Sequence, residues 1–84
     1  EEGNNYNIEV GAGANVTVQV NKGDINMVAV DGDINMKMSD DCNIDIGGNF
    51  NVTVAGDASE TIAGKKDELV TGNNTKTGAR IDLN

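Results

Sequence analysis

The stretch Ile46-Gly47-Gly48, Val54-Ala55-Gly56, Ile62-Ala63-Gly64 and Val70-Thr71-Gly72 repeats one pattern: an apolar residue followed two positions later by glycine, in steps of eight residues. A fixed period over several repeats is typical of a repeat architecture. Glycine suits a sharp corner, because it accepts backbone angles that a Cβ disfavours. The pattern therefore predicts repeated units of one short strand and one corner.

The same spacing extends to both sides of this stretch. Val30-Asp31-Gly32 and Met38-Ser39-Asp40 keep it towards the amino end, with Asp40 in the glycine position, and Gly78 takes the apolar position towards the carboxyl end. We therefore expect a regular octad region over residues 30–78. The predicted corners are Gly32, Asp40, Gly48, Gly56, Gly64 and Gly72.

The first third of the chain is less regular. Gly23-Asp24-Ile25-Asn26-Met27 and Gly32-Asp33-Ile34-Asn35-Met36 are nine residues apart, which changes the parity of the inward positions. Such an extra residue predicts bulges or longer corners near residues 21–24 and 27–30. Residues 1–29 are thus predicted to form an irregular leading part, and residues 79–84 a separate carboxyl end.

Between the corners, apolar and polar residues alternate with the period of two that is typical of strands with one dry and one wet face. Cys42 falls in the inward phase, where a small core residue is a better interpretation than a redox or metal site. The predicted structural core is Val30, Ile34, Met36, Met38, Cys42, Ile44, Ile46, Phe50, Val52, Val54, Ile62 and Val70.

Composition excludes several classes of function. The 84 residues carry a net charge of −8, which disfavours nucleic acid as a partner. The sequence has no histidine and a single cysteine, so acid–base chemistry, an activated thiol and an internal disulfide are all disfavoured. We expect no catalytic residue, no cofactor and no metal ligand.

So short a chain, with two aromatic residues, needs a partner to bury a core. A unit of one strand and one corner turns about a third of a circle, and three chains would close the ladders that one chain leaves open. The predicted fold is all-β, an intertwined homotrimeric triple-stranded β-helix (prism) with octapeptide repeats.

The tandem octads from Ile46 to Gly72 resemble the carboxy-terminal needle of the tail-associated lysozyme in contractile phages, and the related valine-glycine repeat spikes of type VI secretion. The resemblance implies a rigid needle in the central spike of a tail baseplate, in the virion, that punctures the bacterial outer envelope when the sheath contracts. A lysozyme domain often precedes such needles, but no part of this sequence resembles a lysozyme domain.

The resemblance also implies partners. It implies a homotrimer attached to the baseplate hub, brief contact with the bacterial outer membrane, and a small PAAR-repeat tip protein at the carboxyl end. The closing segment 78–84 is similar to the blunt end of these needles, which makes Ile81 and Leu83 candidate residues for tip docking.

The inward phase is ambiguous after about residue 58. If even-numbered residues stay inward, Glu60, Lys66 and Glu68 form a polar lumen, with charges paired or bridged by waters and ions. The other phase places Ser59, Thr61, Asp67 and Leu69 inward instead.

A function from another class is a monomeric β-solenoid segment of a bacterial adhesin or a calcium-binding repeat protein. Asp31-Gly32-Asp33 and Gly47-Gly48-Asn49 suggest calcium loops, but the known calcium-loop spacings are missing. An ice-binding solenoid is a weaker alternative, because the sequence has no regular threonine ladders.

Overall fold

The computed structural model describes Gly3 and residues 5–82, and over these residues the chain is extended, with no helix and no β-strand. The predicted all-β fold, an intertwined homotrimeric triple-stranded β-helix, is therefore wrong for this structure. With no helix in the described part, no segment there has the helical length needed to cross a membrane. The chain divides into two units, Glu1–Asn43 and Ile44–Asn84.

The physical reason for the correction is that a strand requires a second strand beside it, at about 4.7–4.9 Å. Within each unit, no two described residues that are twelve or more positions apart approach within 8 Å between Cα atoms. The described backbone makes one hydrogen bond to itself, from the N–H of Ala14 to the carbonyl of Gly11 at 3.3 Å. Alternation of apolar and polar residues specifies the two faces of a strand, but no described segment of this chain pairs with another.

The amino-terminal unit bends at residues 21–23, 30–32 and 39–40, after a turn at residues 12–13. The segments 24–29 and 33–38 between these bends are straight, each six residues long. The first two bends overlap the regions where the nine-residue spacing predicts bulges. Asp40 lies in the third bend and occupies the position that glycine holds elsewhere.

The carboxy-terminal unit is more regular. It bends at residues 47–48, 55–56, 63–64 and 71–72, so that each bend follows the previous one by eight residues, and again at residue 79. The intervening segments are six residues long and contain no bend. Each two-residue bend ends on a glycine. The octad of the sequence is thus a period of the backbone in this unit.

The structure has no core among its described residues, because every one of them is exposed. The predicted core residues of the amino-terminal unit, Ile34, Met36, Met38 and Cys42, are all open to solvent. Val30 is 95% exposed and lies inside the bend at 30–32. Apolar side chains are patterned along the chain but are not covered by it.

The glycines at the bends differ in backbone conformation. Gly23 and Gly32 have positive φ, +130° and +155°. Gly48, Gly56, Gly64 and Gly72 do not, and a Cβ built on any of these four meets no atom within 4 Å. In the carboxy-terminal unit, the fold of the single chain therefore gives no steric reason for glycine at the bends.

Candidate functional site

An ion pair across one bend defines the inner side of the carboxy-terminal unit. The ammonium of Lys66 donates a hydrogen bond to Oε1 of Glu60 at 2.7 Å, although the two residues are six apart. The bend at 63–64 lies between them. Two side chains that meet across a bend must both lie on its concave side, so Glu60 and Lys66 face inward.

A second contact repeats this geometry one octad later. Nδ2 of Asn74 donates to Oε1 of Glu68 at 3.3 Å, across the bend at 71–72. Glu68 follows Glu60 by eight residues and Asn74 follows Lys66 by eight, so the two cross-bend pairs occupy equivalent positions. Asn74 is absent from the sequence-predicted polar set. Its even number and its place eight residues after Lys66 are the pattern that identifies it.

The opposite side of the same segments carries the odd-numbered residues. Lys65 and Asp67 form an ion pair of 3.4 Å in which both side chains are 81% exposed. Leu69 is 90% exposed. In the single chain, the cross-bend contacts join even-numbered residues, and Ser59, Thr61, Asp67 and Leu69 belong to the other phase. The polar lumen itself stays a prediction.

The apolar residues of the even phase continue this inner side towards the amino end of the unit. We use "inner face" for the even-numbered residues Ile44, Ile46, Phe50, Val52, Val54, Glu60, Ile62, Lys66, Glu68, Val70 and Asn74. The members two residues before a bend glycine, Ile46, Val54, Ile62 and Val70, are 41–50% exposed, whereas Ile44, two residues earlier in its segment, is 70% exposed. The bend therefore shelters one position per octad and leaves the rest of the inner face open.

Electrostatics favour the charged form of Lys66. The hydrogen bond from its ammonium to Glu60 is the main cause that raises the pKa of Lys66 above the ordinary value of 10.5, and the negative charges of Glu60 and Glu68 add to it. Lys66 therefore stays protonated on the inner face throughout the physiological range. Solvent screens this pair, since both side chains are more than half exposed.

The remaining candidate residues do not converge on one place. The thiol of Cys42 is exposed. Near the carboxyl end, Nε of Arg80 donates to Asp82 at 3.0 Å, and Ile81 between them is half-exposed. Leu83, the second residue predicted to dock a tip protein, lies outside the described residues. Over the described part of the chain, no three Cys, Asp or Glu side chains group as a metal site, and no cavity forms.

Among the described residues, the inner face is thus the feature that combines sequence periodicity with a definite geometry. It is apolar from Ile44 to Val54 and becomes mixed from Glu60 onward, where two contacts span consecutive bends. An uncovered apolar face of this regularity is suited to association with another surface of the same period.

Comparisons with known proteins add no relative to this picture. No protein-family model, curated protein or solved structure matches the chain.

Proposed function

We propose that this chain is a noncatalytic structural segment of the central spike of a contractile phage tail, in which three copies associate into a rigid needle. The needle passes through the outer envelope of a bacterium when the tail sheath contracts. The observation that carries the proposal is the eight-residue period of the bends in the carboxy-terminal unit, together with the open apolar inner face that repeats with it.

The free energy of folding supports association. Ordering one residue costs about 1–2 kcal/mol of backbone entropy, which buried apolar surface normally offsets. No described residue is buried by the chain itself, so the offset must come from outside it. Further copies of the same chain are the natural source, since they carry apolar residues at the same eight-residue period.

The bend glycines support the same proposal. Gly48, Gly56, Gly64 and Gly72 recur in register, yet within the chain each could carry a Cβ without a close contact. A side chain is excluded where another backbone approaches closely, which is a common reason for glycine. We infer that neighbouring copies approach one another at the bends.

Charge and surface chemistry fit a rod that must pass a bacterial surface. Three copies carry three times −8, or −24, which favours solubility and weakens adhesion to like-charged envelopes. The segment with Ile81 remains the proposed seat of a PAAR-repeat tip, and the baseplate hub remains a proposed partner.

The experiment that tests this function is immunogold electron microscopy with an antibody raised against the 84-residue chain. Contractile particles and whole cells from the source culture are labelled side by side. We expect gold at the centre of the baseplate and none along the sheath. Label confined to the cell surface would contradict the needle and favour the adhesin. Preincubating the antibody with the purified chain is the control for specific binding.

A further inference from the structure

The eight-residue period raises a problem of register for any assembly of identical copies. Within the carboxy-terminal unit, if one copy slips past another by eight residues, the bends at 55–56, 63–64 and 71–72 still meet bends, and their glycines still meet glycines. A repeat of identical octads would therefore associate in several registers of similar free energy. Only octads that differ from one another can select one register.

The inner face differs along its length, because it changes from apolar to charged. Val52 and Glu60 occupy equivalent positions in consecutive octads, as do Ala58 and Lys66. In an in-register assembly, charged octads lie level with charged octads. A slip of eight residues brings the Glu60–Lys66 pair level with Val52 and Ala58, so the pair loses water among apolar side chains, which is costly.

Charge complementarity is already present within this segment. Lys66 lies 2.7 Å from Glu60, and Glu68 accepts a hydrogen bond from Asn74. Each carboxylate of these two cross-bend pairs has a donor across a bend of its own chain. In the matched register, these pairs lie level with the same pairs of the neighbouring copies, so each pair keeps polar surroundings. Single buried polar residues have this selective effect in other repetitive assemblies.

We propose that the cross-bend pairs Glu60–Lys66 and Glu68–Asn74 select the register in which copies of this chain associate, by excluding slips of eight residues. The partner is a second copy of this chain in parallel orientation, so the inference rests on the proposed function. The charges act as a specificity device, and the apolar octads provide the affinity.

The test removes the difference between octads. The variant Glu60→Val, Lys66→Ala, Glu68→Val gives each position the residue found at the equivalent position of an earlier octad. A Thr53→Cys label site on the outward phase, in a Cys42→Ala background, carries a nitroxide for pulsed electron spin resonance. The labelled chain without the three changes is the parent, and light scattering gives the mass of both.

We expect one narrow inter-label distance in the parent. The distribution should split into two or more components in the triple variant, at unchanged mass. The matched control is Lys65→Ala with Asp67→Ala, which removes an ion pair from the outward side of the same segment and should keep the single distance. A second variant, Glu60→Lys with Lys66→Glu, reverses the pair but preserves charged octads, and should also keep it.

The outcomes separate this inference from the function on which it rests. A parent that stays monomeric overturns the proposed association and the register selection with it. A parent that assembles, together with a triple variant that assembles and keeps one narrow distance, overturns register selection alone. A triple variant that no longer assembles also overturns it, since the charges would then drive association instead of selecting its register.

Discussion

Replacing Ile44 by alanine should weaken the self-association of this chain far more than replacing Leu69 by alanine. Both substitutions remove three carbon atoms from an exposed apolar side chain. Ile44 belongs to the inner face and is 70% exposed, while Leu69 lies in the outward phase and is 90% exposed. In the proposed assembly, neighbouring copies bury Ile44 and leave Leu69 open, whereas exposure in the single chain would predict the opposite order.

The expected loss of association free energy follows from the surface of Ile44 that is exposed in the single chain and buried in the assembly. Complete burial of an isoleucine stabilises by about 1.5–3 kcal/mol, so the remaining seven tenths contribute about 1–2 kcal/mol per copy. Alanine retains part of this, which leaves a loss of about 1 kcal/mol per copy and about 3 kcal/mol for three. The association constant should then fall about a hundredfold.

Sedimentation equilibrium over a wide range of concentrations measures both variants against the parent chain. The parent and Leu69→Ala should show the same concentration dependence, and Ile44→Ala should need a higher concentration for half-assembly. Equal effects of the two substitutions would refute the assignment of an inner face, as would an Ile44→Ala variant that associates like the parent.

Three further predictions concern single groups. The pKa of Lys66, followed by NMR of its side chain, should lie above 10.5 and return towards that value in Glu60→Gln. Because the pKa is raised, the stabilisation by this pair is fully present below pH 10.5 and is lost as the pH rises through the raised pKa. An unchanged titration of Lys66 in the variant would contradict the pairing. Gly56→Ala should cause no steric strain in the single chain. It should weaken association by about 1–3 kcal/mol per copy, because the added methyl group overpacks the contact between copies. The solution mass at several concentrations measures this effect, and association equal to that of the parent would disprove close approach at the bends. Cys42 is exposed in the chain, so it should react readily with a thiol reagent in dilute protein and more slowly as the protein assembles. A reaction rate independent of protein concentration would place Cys42 outside the interface.

Sequence periodicity predicts where the backbone bends, but it does not predict which segments pair with one another. Glycine spacing predicts corners at Gly48, Gly56, Gly64 and Gly72, and the backbone bends at the same four residues. Strand alternation predicts one dry and one wet face, but the described residues form no strand and no ladder, and none of them is buried. Pairing depends on what lies alongside a segment, and alternation within one segment carries no information about that.

The candidate site shows a similar division. Sequence alone leaves two inward phases after residue 58, because each phase places charged residues inward, Glu60 and Lys66 in one and Asp67 in the other. The contact between Glu60 and Lys66 distinguishes them, since it requires both side chains on the concave side of the bend at 63–64. Its octad equivalent, Glu68 with Asn74, could have been found by adding eight to each number.

Val30 illustrates where a strict register misleads. The octad places it two residues before Gly32, equivalent to Ile46 before Gly48. In the structure, however, the bend covers three residues, 30–32, and Val30 is 95% exposed. The nine-residue spacing in front of Gly32 inserts an extra residue there, and the bend takes it up.

The most direct test of self-association is the solution mass of the chain by multi-angle light scattering, over a hundredfold range of concentration, with and without a chelator. We predict three times 8.7 kDa, about 26 kDa, unchanged by the chelator. A mass of 8.7 kDa at every concentration would contradict self-association, and a monomer that compacts only with calcium would instead support the calcium-binding solenoid.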